Sequence, residues 1–157
     1  MKKTGHAVCI GADVDTDMII AGRYLRTTDK SVWVEHAFED YDPSIAKRLK
    51  GSVIIAKKNI GCGSSREQAA VALKEAGVLA VVAPSFARIF FRNAVNVGLP
   101  VFETGEIDCT DGEPVTFDLD ESWVEISGRR YPSLPLSERM KRIIDSGGLA
   151  GYWRKYK

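Results

Sequence analysis

Four short runs of this chain are apolar at nearly every position: Ala7-Val8-Cys9-Ile10, Val53-Ile54-Ile55-Ala56, Val78-Leu79-Ala80-Val81-Val82-Ala83 and Leu99-Pro100-Val101-Phe102. Continuous apolar runs of this length, without alternation, predict strands buried on both faces of a sheet. Between the second and third lies Gln68-Ala69-Ala70-Val71-Ala72-Leu73-Lys74-Glu75-Ala76, rich in good helix formers and ended by Gly77. Between the third and fourth, Ile89, Phe90, Asn93, Ala94 and Val97 recur at helical spacing within residues 86–97, and Gly98 stops the run. A strand, a helix of this length and another strand predict a βαβ unit with parallel pairing. The stretch from 18 to 30 is mixed and reads as irregular, with a short helix over 32–38 and a short segment over 43–49.

After Gly105 the pattern changes to alternation. Val115-Thr116-Phe117-Asp118-Leu119 and Trp123-Val124-Glu125-Ile126 predict short half-buried strands, with Gly128-Arg129 as a turn signal. A helix over 136–146 places Met140, Ile143 and Ile144 on one face and stops at Gly147-Gly148. The basic tail over 149–157 carries Tyr152 and Trp153 as anchors. No repeat or linker interrupts the pattern, so residues 1–157 read as one α/β domain with a βαβ core and a short C-terminal strand–helix extension.

The 157 residues are 45% hydrophobic and 27% charged with a net charge of +1, the values of an ordinary globular enzyme or binding domain. That balance offers no nucleic-acid footprint and no acidic tail. No apolar run reaches the roughly 20 residues that span a bilayer, and the N-terminus lacks a signal-peptide core, so a cytoplasmic protein with no membrane partner is expected. Cys9, Cys62 and Cys109 are odd in number and far apart, which predicts neither a disulfide framework nor a metal site. A nucleophilic Cys62 would need a base, and His6 and His36 are the available histidines.

The loop Gly61-Cys62-Gly63-Ser64-Ser65-Arg66-Glu67 holds the candidate chemistry. Ser64 followed by Glu67 has capping-box spacing, which predicts Ser64 at the N-cap of the next helix. The local pattern reads either as an ordinary capped helix after a glycine turn or as an anion site, formed by free N–H groups at that helix end and the Arg66 guanidinium, with hydroxyls beside it. The spacing fits neither a nucleophile elbow, which needs Gly at 62 and 66, nor a P-loop, which needs a Lys after Gly63. Asp13, Asp15 and Asp17 begin like a calcium loop, but Met18 and Tyr24 stand where that loop needs Gly and Glu. Arg26 lies in the polar loop Tyr24-Leu25-Arg26-Thr27-Thr28-Asp29, the ordinary setting of a solvated charge. Arg88 and Arg92, one turn apart, read as surface charges or a structural pair.

Taken together, Asp15-Thr16-Asp17, the 61–67 loop and Ser85-Phe86-Ala87-Arg88-Ile89-Phe90-Phe91-Arg92-Asn93 resemble the aconitase superfamily. Length and segment order are similar to the separate small subunits of isopropylmalate isomerases and archaeal-type homoaconitases. The resemblance implies the swivelling β/β/α domain of the aconitase C-terminal type. It also implies a large partner subunit carrying a 4Fe–4S cluster; this chain has no ligand set for one. The implied reaction is a hydro-lyase isomerisation that moves a hydroxyl between adjacent carbons of a small carboxylic acid. Carried over residue by residue, Ser64 matches the catalytic base, Asp17 an active-site carboxylate, and Ser65 and Arg66 substrate-binding positions. Arg26 stands where isopropylmalate isomerases carry an apolar residue, which implies a preference for homocitrate-type tricarboxylates. Isopropylmalate and dialkylmalates are the alternatives, and a non-catalytic anion-binding regulatory module is the alternative of another class.

Overall fold

The computed structural model describes residues 2–156; Met1 and Lys157, the ends of the expected 1–157 domain, lie outside the described residues. Seven strands form one sheet in the order β4-β3-β2-β1-β5-β6-β7. The strands are β1 (Lys2–Cys9), β2 (Ser52–Ile55), β3 (Ala80–Ala83), β4 (Val101–Glu103), β5 (Pro114–Asp118), β6 (Trp123–Ile126) and β7 (Arg129–Pro132). Pairing is parallel from β1 through β4 and antiparallel from β1 through β5 and β6 to β7. The division follows the two hydrophobic patterns in the sequence. Every residue of β2 and β3 is buried, as parallel strands between helices require, whereas β5 and β6 alternate.

The crossovers carry α1 (Thr16–Ile19), α2 (Lys30–Glu35), α3 (Glu67–Glu75) and α4 (Arg88–Asn96); α5 (Glu138–Asp145) and α6 (Leu149–Tyr156) follow the sheet. Neighbouring contacts run from α2 to α3, α4, α5 and α6 in turn. The Leu134 N–H donates to Glu103 C=O at 2.9 Å, so the chain leaving β7 reaches the opposite edge and the sheet curls. Phe102 of β4 and Phe117 of β5 then meet inside the curl, ring centroids 5.3 Å apart. No helix among the described residues is long and apolar enough to cross a membrane.

The expected βαβ unit, the parallel strands and the α3, α4 and α5 helices are all present. The segment 18–30, expected to be irregular, instead contains part of α1 and a 3₁₀ turn at Gly22–Tyr24. Strand β7 and helix α6 were not expected. Strand β7 shows Arg129 and Arg130 to solvent and has no apolar alternation to betray it, the composition of a protected sheet edge. On α5, Ile143 and Ile144 are buried while Met140 remains 36% exposed. The expectation of unpaired cysteines is corrected: Cys9 and Cys109 form a disulfide, with Cα atoms 6.1 Å apart. Antiparallel pairing of β5 beside β1, with Pro114 opposite His6, brings together residues separated by 100 positions.

A candidate anion site at the carboxyl ends of the parallel strands

Strands β1 and β2 end side by side, and the loops that leave them are laced together by main-chain bonds. Asp13 N–H donates to Lys58 C=O at 2.9 Å, Gly61 N–H to Val14 C=O at 2.8 Å, and Thr16 N–H to Cys62 C=O at 2.9 Å. The buried Thr16 hydroxyl donates to Ser64 C=O at 2.9 Å. Asp15 caps α1 by accepting from Met18 N–H at 2.8 Å, which fixes the direction in which Asp17 leaves the turn. Gly61 has φ +82°, and a Cβ there would run into the Phe90 ring, so the loop enters the site through a position suited to glycine.

This lacing brings Asp17 onto Arg66. The Arg66 guanidinium donates to Asp17 Oδ1 at 2.7 Å and to Ile20 C=O at 3.4 Å, while Gly22 N–H donates to the same Asp17 oxygen at 3.1 Å. The guanidinium, and after it the Gly22 N–H, hold the Asp17 carboxyl below its ordinary value. Arg66 is the more enclosed partner, with 23% of its side chain exposed against 59% for Asp17. Ser64 and Ser65 are exposed on the loop, and neither hydroxyl has a hydrogen-bond partner among the described residues. Both are open to a molecule arriving from solvent.

The expected capping box does not form. Arg66, not Ser64, occupies the N-cap of α3, with extended dihedrals and no side-chain cap. Thr16 holds the Ser64 carbonyl, and Arg66 N–H turns back onto the same carbonyl at 2.9 Å, so Ser64 is committed to the loop before the helix begins. The correction strengthens the anion site, because the first N–H groups of α3 stay uncapped by any side chain beside Arg66.

Asp17, Ser64, Ser65 and Arg66 therefore share one edge of the molecule. Arg26 lies past the Gly22–Tyr24 turn on the same loop, exposed, with no hydrogen bond or ion pair among the described residues. Cys62 is half-buried, and burial, then the charges of Asp15 and Asp13, push its thiol up, which disfavours the thiolate. Neither histidine serves it. His6 Nε2 bonds Arg48 C=O at 2.7 Å, and His36 stacks on Tyr24. Thr16 and Gly22, to which the sequence assigned no role, help hold the candidate site together, Thr16 through the Ser64 carbonyl and Gly22 through the Asp17 carboxylate. A buried hydroxyl flanked by two carboxylates was the available signal for the first.

No group of three or more His, Cys, Asp or Glu residues converges on a metal-binding geometry among the described residues. Cys9 and Cys109 are bonded to each other and Cys62 stands apart, so this chain does not fit an iron–sulfur cluster. An apolar groove of about 550 Å³, lined by Phe91, Val95, Met140 and Trp153 and rimmed by Arg88, Arg92 and Arg139, opens elsewhere, between α4, α5 and α6.

Residues 10–104 match the family model of the aconitase C-terminal domain. The chain is 46% identical over 153 residues to a 3-isopropylmalate dehydratase small subunit of Aliarcobacter butzleri, covering 95% of this chain and 92% of that one. It is 47% identical over 154 residues to a methanogen homoaconitase small subunit of Methanothermobacter thermautotrophicus, covering 96% and 90%. The crystal structure of a 3-isopropylmalate dehydratase from Methanocaldococcus jannaschii matches with a TM-score of 0.93 and 43% identity, over 99% of this chain and 95% of that one. The laced loops bearing Asp17, Ser64 and Arg66 fall within the matched span, and the chain belongs to the aconitase C-terminal domain family, as a homologue of its separate dehydratase small subunits.

Proposed function

We propose that this chain is the small half of a hydro-lyase that isomerises a 2-substituted malate by dehydration and rehydration, with 3-isopropylmalate as the substrate its relatives favour. The observation that carries the reaction class is Ser64, exposed and with its hydroxyl unpartnered among the described residues, on the same laced edge as the Asp17–Arg66 ion pair. Most of the named relatives are 3-isopropylmalate dehydratases, which supports the isopropylmalate reading above the homocitrate one expected from Arg26. Those relatives are small subunits, which implies a larger partner subunit. In this reading the 4Fe–4S cluster belongs to that partner.

The chain's own residues account for proton removal. Ser64 Oγ, as an alkoxide stabilised by the helix end and Arg66, takes the proton from the carbon beside a substrate carboxylate while the hydroxyl on the adjacent carbon leaves as hydroxide, and negative charge develops on that carboxylate as the proton is removed. Arg66 and the uncapped α3 N–H groups face the developing charge, where fixed donors do most to lower a barrier. Asp17 holds the guanidinium in place, and the Ser65 hydroxyl is a further donor to the acid.

A second reading rests on Arg26. An exposed cation without a partner among the described residues, on the loop that leaves the Asp17–Arg66 pair, suits the third carboxylate of a homocitrate-type acid, which is costly to enclose without a counter-charge. Both readings are tested with the chain reconstituted on its large subunit. Ser64→Ala is expected to lower the rate by about 10²–10⁴-fold with the complex intact by gel filtration. An unchanged rate overturns the catalytic assignment and favours an anion-binding module. Arg26→Val assayed on both acids decides the substrate: a selective loss on homocitrate supports the second reading, and an unchanged preference leaves isopropylmalate.

A further inference from the structure

The loop that carries Arg26 is held at several points before it reaches that residue. The first is the site itself: Gly22 N–H bonds Asp17, and a Cβ on Gly22 would come within 3.3 Å of the Arg66 guanidinium. The second is Glu39, in the turn after α2. Arg23 donates to Glu39 Oε1 at 2.7 Å and to the two Asp40 oxygens at 2.7 and 2.8 Å. The Tyr24 hydroxyl donates to the same Glu39 Oε1 at 2.6 Å, and His36 Nδ1 meets Glu39 Oε2. The Tyr24 and His36 rings stack with centroids 4.2 Å apart and planes within 8°. Trp33 Nε1 also donates to Tyr24 C=O at 3.0 Å, fixing the backbone two residues before Arg26.

An isolated exposed ion pair contributes little to stability. Glu39 is different in kind, because one carboxylate gathers donors from Arg23, Tyr24 and His36 and so ties the loop to α2 through several coupled bonds. Among the described residues none of these groups is hydrogen-bonded or ion-paired to Ser64, Ser65 or Arg66, so their effect on chemistry passes through the loop. We infer that Glu39 is a positioning residue for substrate discrimination: by gripping Arg23 and Tyr24 it sets where the loop holds Arg26. The inference rests on the reading that the 22–26 loop meets the variable group of the substrate.

The test uses the reconstituted two-subunit enzyme and compares wild type, Arg26→Val, Glu39→Gln and the double variant on 3-isopropylmalate and homocitrate. Arg26→Val changes the ratio of kcat/KM between the two acids. Glu39→Gln is expected to change that ratio in the same direction by about fivefold, through KM, with kcat held within about twofold. In the Arg26→Val background Glu39→Gln should add nothing, since both act through one loop. Tyr24→Phe, which removes one donor and keeps the ring, gives a smaller shift of the same sign and serves if Glu39→Gln does not assemble. A ratio moved by Arg26→Val and untouched by Glu39→Gln and Tyr24→Phe overturns the inference while the loop reading stands. An equal fall in kcat on both acids also overturns it, as the mark of a merely structural role. A ratio indifferent to Arg26→Val overturns the loop reading, and the inference with it.

Discussion

Glu39 and Asp17 are both carboxylates with depressed pKa values, and they differ in what depresses them. Asp17 is held down chiefly by one guanidinium, which an incoming anion can compete for; Glu39 is held down by the Tyr24 hydroxyl first, then Arg23 and His36. These donors bring the Glu39 carboxyl from 4.5 to about 2. A lowered native pKa means that the ionised network favours the folded loop above the unfolded value of 4.5, and that this contribution is lost as pH falls toward about 2. Carboxyl-carbon NMR is therefore expected to show Glu39 titrating near 2, with Tyr24→Phe moving the midpoint up toward 4.5. A midpoint unmoved by Tyr24→Phe contradicts the assignment of the leading donor. The i,i+3 spacing of His36 and Glu39 was visible in the sequence, but their convergence with Arg23 and Tyr24 required the fold to place the turn after α2 against the 22–24 turn.

At the scale of elements, the strands and helices of the parallel half follow from periodicity, and their terminators from backbone geometry. Gly98 ends α4 with φ +83°, and a Cβ there would lie 2.6 Å from the Gly147 carbonyl carbon. The glycine that stops one helix is thus also the contact that lets the 147–148 turn dock on it and seat α6 behind α5. Gly98→Ala is expected to destabilise the protein by about 1–3 kcal/mol in urea unfolding, from a left-handed conformation and overlap with backbone together. Gly105→Ala, where nothing lies within 4 Å, should stay within about 0.5 kcal/mol. Equal effects at the two positions would remove the packing argument. Helix α3 shows the limit of local signals. Ser64 and Glu67 have the spacing of a capping box, yet Thr16, brought from the β1 loop, claims the Ser64 carbonyl and moves the cap to Arg66.

Across the whole molecule, the step from β4 to β5 decides most. The sheet grows outward from β1 to β4, then returns to lay β5 against the free side of β1, and the turn before β5 carries Cys109 to Cys9. A cross-link spanning 100 positions restricts the unfolded chain strongly. Cys109→Ser is expected to lower unfolding stability by roughly 2–5 kcal/mol relative to the oxidised chain, and reductant should bring the wild type to the variant's value. Peptide mapping without reductant should recover the peptides of Cys9 and Cys109 joined, with Cys62 free. A variant as stable as the oxidised wild type would leave the disulfide without a role in stability.

The sequence by itself determined the βαβ core and the change from continuous to alternating apolar strands, and it marked the loop at 61–67 as a candidate for chemistry. Each is encoded within a dozen neighbouring residues, by hydrophobic period, helix propensity and glycine. Tertiary structure alone decided the pairing of Asp17 with Arg66, the cap of α3, the disulfide, and the grip of Glu39 on the loop that bears Arg26. These join residues that are from 3 to 100 positions apart, and most depend on which strand ends lie side by side. Local periodicity fixes what an element is; the order of strands in the sheet fixes which loops meet, and the candidate site is made where they do.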